Sequence, residues 1–346
     1  MHRFIGLVTA LIALQVGKSA SAQAPTGPPP RATIASLGTC RLASGATIEN
    51  CRIAYRSFGR LNAGRTNAVF IPTWLLGRSE DWIGMVGPTG WVDTTKFFTV
   101  VVDAFANGRS SSPSNSPPDE GAAFRSLTIG DMVDAQHRLA VEILKLPRLH
   151  AVLGISMGGH QAFEWAVRYP NFVDAVVPVV GSPRPAAFDQ TRTATLISLI
   201  ENGQAHGVSD DSIWSQVSLM SELFLRTPRA VNKDGGAAAD ADVARSTKAL
   251  SASWRLEDFA TQVRAAQRQD VAAKFGGDLA RAAAQVRSRM LIIYSWDDHS
   301  VSAESAAAFA KYVHADTLSV ASTCGHLVTS CEGARITPVV RAFLAR

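Results

Sequence analysis

Short apolar runs alternate with longer stretches of helical spacing along most of this chain. Strand-like runs are expected at Ala68 to Ile71, Phe97 to Asp103, His150 to Ile155, Ala175 to Val180, Met290 to Tyr294 and Thr317 to Val320, most of them separated by helix-length segments. Apolar strands that alternate with helices require a parallel sheet covered on both faces, because such strands have no face to spare for solvent. The expected class is therefore α/β. Leu127 to Lys145 carries apolar residues at helical spacing, with Thr128 as its cap and Asp131 three residues on, and is expected to form one helix. A closing helix is expected from Arg335 to Leu344.

Between about Arg184 and Arg287 the alternation stops. This interval is rich in Ala, Gln and Arg, lacks strong strand runs, and is punctuated by Asn202-Gly203 and Asp234-Gly235-Gly236. It reads as a mostly helical cap inserted between two core strands. At 346 residues the chain is long for one domain, but α/β proteins reach this length as one core with an insertion. The expected division is a signal peptide over 1–22, a Pro-rich spacer over 23–33, the first part of the core over 34–183, the cap over 184–287 and the second part of the core over 288–346.

The first residues change the picture of where the chain works. Met1-His2-Arg3 is a basic start, Phe4 to Val16 an apolar run, and Ala20-Ser21-Ala22 an A-x-A cleavage site, so export with cleavage after Ala22 is expected. The alternative is an uncleaved anchor, but the run is short for a bilayer and no later stretch reaches the roughly 18 apolar residues of a membrane helix. Stable membrane insertion is not expected, and without a Cys at the cleavage point neither is a lipid anchor. Cleavage removes Arg3 and Lys18, which lowers the net charge from +5 to +3. With no dense Lys/Arg stripe and no aromatic-basic interleaving, nucleic acid is not an expected partner. The expected periplasmic or secreted location makes disulfides permissible. The cysteines fall into two close pairs, Cys40 with Cys51 across a turn at Ala43 to Ala46, and Cys324 with Cys331 around Gly325-His326. On this reading Thr39 to Leu42 and Thr47 to Ala54 are hairpin arms that set Cys40 opposite Cys51, and the second bridge holds the His326 loop. Free thiols are the alternative; neither pair has zinc-site spacing.

Gly154-Ile155-Ser156-Met157-Gly158 follows an apolar strand and precedes the helix-like run Gln161 to Tyr169. It resembles the nucleophile elbow of α/β-hydrolases, a sharp strand-to-helix turn that exposes the Ser hydroxyl and needs small neighbours. In that fold the partners follow in the order Ser, acid, His. His326 lies past the last expected strand and before the closing helix, where the fold carries its base; packing or surface roles are expected for His160, His206, His299 and His314. The acid belongs after the strand ending at Tyr294, where Asp297 and Asp298 compete. Asp298 is favoured because Asp298-His299-Ser300-Val301 has the spacing of an Asp, two further residues, then a small apolar residue opening a helix. The expected oxyanion donors are the amides of Met157 and Leu75, with Trp74 a near alternative to Leu75 in the loop Thr73 to Gly77.

Tyr55 to Asn67 (YRSFGRLNAGRTN), Val86-Gly87-Pro88 with Trp91 to Phe98, Leu127 to Val133 (LTIGDMV) and Gly154 to Trp165 (GISMGGHQAFEW) together resemble the homoserine O-acetyltransferase family of the α/β-hydrolase superfamily. The likeness covers about residues 50–180 well and Asp270 to His326 more loosely. It implies an α/β-hydrolase fold with a mostly parallel sheet and a helical cap, a covalent acyl-enzyme, and Ser156, Asp298 and His326 as the matching triad, with Leu75 and Met157 aligned to the oxyanion donors. The chain departs from the family in carrying Thr73 where the family has His, and His160 where it has Met. No cap segment matches the family's Arg that grips the amino-acid carboxylate; Arg226 or Arg229 is the first place to look for one. An exported enzyme also meets little acyl-CoA. The expected function is thus an esterase-like serine hydrolase acting on a small acyl substrate with water as acceptor and no metal or organic cofactor. An O-acyltransferase and a non-catalytic binding protein on the same fold are the alternatives.

Overall fold

The computed structural model describes residues 30–346. The export signal and most of the spacer lie outside the described residues. Eight strands, β1 (Thr33–Arg41), β2 (Thr47–Phe58), β3 (Ala68–Pro72), β4 (Phe98–Val102), β5 (Leu149–Ile155), β6 (Val173–Val179), β7 (Arg289–Tyr294) and β8 (Asp316–Ser319), form one sheet in the order β1-β2-β4-β3-β5-β6-β7-β8. β3 through β8 are parallel to their neighbours, while β1 with β2 and β2 with β4 are antiparallel. The expected parallel α/β sheet is present, extended at one edge by a hairpin. Its strands run further than the expected arms because β1 alternates exposed and buried residues, and only the half of such a strand nearest the turn stands out in sequence.

Cys40 and Cys51 are joined, but they are not directly opposite as expected. A bulge in β1 pairs Cys51 with Gly38 and Cys40 with Ile48, and the extra residue still leaves the two Cα atoms 5.6 Å apart, within disulfide reach.

The helices are α1 (Gly121–Ser126), α2 (Ile129–Arg138), α3 (Met157–Arg168), α4 (Ala187–Ala205), α5 (Asp210–Leu225), α6 (Pro228–Asp234), α7 (Gly236–Ser253), α8 (Leu256–Gln267), α9 (Leu279–Ala283), α10 (Ala303–Tyr312), α11 (Val328–Cys331) and α12 (Gly333–Leu344). The single helix expected over Leu127 to Lys145 is α2 followed by a wider turn at Leu139–Ile143. Thr128 caps it as expected, accepting from Asp131 N–H at 3.1 Å while the Asp131 carboxylate accepts from Thr128 N–H at 2.8 Å. Since a cap residue is extended, Leu127 is left outside the helix.

Residues of alternate parity on β3 and β5 feed two cores. Phe70 and Val152 pack with Trp165 of α3 and Phe309 of α10 on one face, and Val69, Ile71 and Leu153 with Phe343 of α12 on the other. Phe70 and Trp165 meet edge to face, with ring centroids 6.2 Å apart. Burying a side chain of this size contributes about 2 kcal/mol. Six helices, α4 to α9, fill the chain between β6 and β7. Leu196 and Ile200 of α4, Trp214 and Val217 of α5, and Leu256 and Phe259 of α8 form a third core, against which Leu75 and Leu76 pack.

Candidate active site

β5 ends at Ile155, α3 begins at Met157, and Ser156 alone makes the turn between them. Turning the chain that sharply puts Ser156 at φ 56°, ψ −120°, a conformation side chains rarely adopt. Small neighbours make the turn possible: a Cβ on Gly158 would come within 2.4 Å of Pro72 O, and one on Gly159 within 2.9 Å of Gly181 Cα. The Ser156 backbone N–H is held by Val179 O of the adjacent strand at 2.9 Å.

His326 and Asp298 are brought to this hydroxyl from separate loops. His326 Nε2 lies 2.7 Å from Ser156 Oγ, and its Nδ1 lies 2.7 Å from Asp298 Oδ2. The other carboxylate oxygen of Asp298 accepts from Ser300 and Val301 N–H at 2.8 and 2.9 Å, the first amides of the turn into α10, so the acid cannot swing away. Asp297 does not reach the histidine; its side chain is exposed. The His326 loop is held at two points. Cys324 is joined to Cys331 on either side of the imidazole, and Thr227 Oγ1 donates to Thr323 O at 2.5 Å. Of the other histidines, His206 is exposed, and His160 is buried with Nδ1 accepting from Ser182 N–H at 2.9 Å. Burial pushes the His160 imidazole down to about 4, so it is neutral at ordinary pH.

Met157 N–H and Leu75 N–H have no hydrogen-bond acceptor among the described residues. Both residues line a recess of about 30 Å³ beside Ser156. Trp74 lines only the larger adjoining cavity, of about 450 Å³, which also contains Ser156 and His326. A buried amide relay fixes the loop that carries Leu75. Trp165 Nε1 donates to Gln136 Oε1, Gln136 Nε2 to Gln161 Oε1, and Gln161 Nε2 to Thr73 O, at 2.9, 2.6 and 3.0 Å. Leu76 N–H donates to Gln262 Oε1 of α8 at 3.0 Å, tying the same loop to the helical insertion. Two unpaired backbone donors beside Ser156, one on a braced loop and one at a helix N-terminus, suit a developing oxyanion.

Arg226 lies among acids rather than in the cavity, ion-paired with Glu222 at 3.0 Å, with Asp242 at 3.4 Å and with Asp234. The cation that does line both spaces is Arg192 of α4, which the sequence reading missed. Its signal was positional: Arg192, Leu196 and Ile200 recur every four residues, which places a charge in line with the helix's buried positions. Among the described residues no group of three or more His, Cys, Asp or Glu side chains could hold a metal, and no helix is long and apolar enough to cross a membrane.

A family model described as the alpha/beta hydrolase fold matches residues 69–329. An ethyl acetate hydrolase of Pseudomonas veronii is 31% identical over 274 residues, covering 75% of this chain and 78% of its own. A homoserine O-acetyltransferase of Methanobrevibacter ruminantium is 33% identical over 198 residues, 51% of this chain and 40% of its own. Among solved structures, the acetyl esterase MekB superposes with a TM-score of 0.83 at 28% identity, covering 92% of this chain and 96% of that one.

Proposed function

Because the chain belongs to the α/β-hydrolase fold family, we propose that it is an esterase that cleaves short-chain esters, acetate esters above all, through an acyl-enzyme on Ser156. The observation that carries this reading is the unbroken run of 2.7 Å contacts from Ser156 Oγ through His326 to Asp298 at the wall of a cavity. Ser156 Oγ attacks the ester carbonyl carbon as His326 Nε2 takes its proton. Asp298 holds the ring in the tautomer that can accept there, and stabilises the imidazolium. Met157 and Leu75 N–H donate to the oxyanion. Collapse breaks the bond to the alkoxy oxygen, which receives the proton from His326. Water then gives a proton to His326 and attacks the acyl-enzyme, releasing the carboxylic acid and restoring the Ser156 hydroxyl. No step calls on a metal or an organic cofactor.

The recess beside Ser156 is small, about 30 Å³, which supports a short acyl group, and the names of the esterase relatives point to acetate. Helices α4, α5 and α8 supply residues to the cavity wall, which supports a cap built on the segment between β6 and β7. The signal over 1–22 would direct the chain to the periplasm or outside the cell, and the two disulfides are consistent with that destination.

A second reading, O-acyl transfer, is favoured by the likeness to homoserine O-acetyltransferases. Against it, the ethyl acetate hydrolase matches 75% of this chain and the acetyltransferase 51%, and transfer needs an acceptor held in place of water. The test is turnover of p-nitrophenyl acetate by the mature protein, with and without homoserine, together with fluorophosphonate labelling of Ser156. Labelling and acetate release unaffected by homoserine are expected. O-Acetylhomoserine formed from acetyl-CoA faster than free acetate would overturn hydrolysis. An unlabelled protein that turns over no ester would leave the non-catalytic reading.

A further inference from the structure

A half-buried cation without a hydrogen-bond or ion-pair partner among the described residues stands in the wall of the Ser156 cavity. Arg192 Nε is buried with no hydrogen-bond partner, and the guanidinium forms no ion pair among the described residues. The nearest carboxylates are already committed. Asp189 accepts from Ser302 N–H and Oγ and from Ala186 N–H, and Asp298 accepts from Ser300, Val301 and His326. The one further neighbour is the Phe224 ring, its centroid 5.9 Å from Cζ, at the edge of cation–π range. Burial, the largest influence on it, pushes the guanidinium below its ordinary value, although an arginine stays charged at any working pH.

Holding a partly buried charge without a partner is costly, and an unpaired cation beside the nucleophile is available to a counter-charge that arrives with the ligand. Arg192 borders both the recess and the larger cavity. With an acetyl group in the recess, the ester oxygen and whatever it carries extend into the cavity that Arg192 lines. A planar fork of donors matches a carboxylate. The remaining wall is largely apolar, including Leu196, Met220, Phe224 and Phe259, with Asp81 its one carboxylate.

We propose that Arg192 is a specificity-determining residue that binds a carboxylate on the alcohol portion of the substrate, so that the preferred substrates are acetate esters of short hydroxy acids. This rests on the esterase reading above, and its test separates the two. The pair 3-acetoxypropanoate and 3-acetoxypropanamide differ in charge but hardly in shape. A charge-assisted hydrogen bond predicts that the wild-type protein prefers the carboxylate in kcat/KM by roughly ten- to hundredfold. In Arg192→Gln that ratio falls to about one, and in Arg192→Lys, which keeps the charge and loses the fork, it falls part of the way. A wild-type ratio near or below one overturns the proposal, as does a ratio that survives in Arg192→Gln. The wild-type measurement stands by itself if the Gln variant fails to fold. Turnover of p-nitrophenyl acetate without preference for the carboxylate removes the role of Arg192 and leaves the esterase; no turnover of any ester removes both.

Discussion

Glu164 lies on α3, about two turns past Ser156, and is 6% exposed. Arg168 is its natural partner but is turned elsewhere, with Nε and Nη2 on the Asp134 carboxylate at 3.0 and 2.5 Å and only Nη1 near Glu164, at 3.7 Å. Burial outweighs that distant cation and pushes the Glu164 carboxyl up from 4.5 to about 7. The folded protein therefore holds this proton more tightly than the unfolded chain does. The stability that goes with it is complete below about pH 4.5 and is lost as the pH rises through 7. At 1.36 kcal/mol per pH unit, the ionised carboxylate costs at most about 3 kcal/mol at pH 8. Glu164→Gln keeps the shape and removes the charge. It should match the wild type near pH 4.5 and exceed it by about 1–3 kcal/mol at pH 8, a rise of several degrees in Tm. Urea unfolding of the oxidised protein at both pH values is the assay. A Gln variant no more stable than wild type at pH 8, or one offset equally at both pH values, would refute the argument that burial dominates.

Further outcomes follow from the site and from the two disulfides. Asp298→Asn can keep the Ser300 and Val301 contacts through its carbonyl while presenting its NH2 to His326, so kcat should fall by about 10⁴, the cost of the wrong tautomer in serine proteases, with the fold retained by circular dichroism; Asp297→Asn should stay within about threefold. Replacing Cys324 and Cys331 together by Ser should lower kcat/KM on p-nitrophenyl acetate about tenfold by loosening the His326 loop. The corresponding Cys40/Cys51 replacement should cost about 2–4 kcal/mol in urea unfolding and leave kcat unchanged. The recess predicts that p-nitrophenyl acetate is preferred over the butyrate by at least about tenfold in kcat/KM, and that Val263→Ala, which enlarges the recess, narrows the gap; equal rates on the two esters would mean that the acyl group lies in the larger cavity.

Strands β3 to β7 were legible in the sequence because each is a short run buried on both faces, whereas β8 is mostly exposed. The edge hairpin was legible only near its turn, since β1 is half exposed. The helix expected over Leu127 to Lys145 was drawn too long because periodicity cannot register where the hydrogen bonding widens; here Leu144 N–H reaches back to Leu139 O and Leu146 N–H to Ala140 O. Ser156 could be picked out because its constraint is local, a strand, a tight turn and a helix in consecutive residues. His326 and Asp298 could be located by chain order, and spacing to Val301 chose between the adjacent aspartates. Arg192 could not be placed, because its distance from Ser156 depends on how α4 crosses the ends of the strands, a matter of packing between segments that no local pattern records. For the same reason Arg226 remained a candidate grip until its three acidic neighbours were seen together.

The backbone at Ser156 carries a consequence for evolution and engineering. A residue with a side chain held at φ 56°, ψ −120° costs of the order of 1–3 kcal/mol, and glycine at the same position relieves most of that penalty. Selection for heat resistance alone would therefore favour Ser156→Gly, a sturdier and inert molecule. Random libraries screened only for survival after heating would drift towards dead variants at this codon. Turnover has to be selected in the same round as stability, because at residue 156 the two demands call for different amino acids.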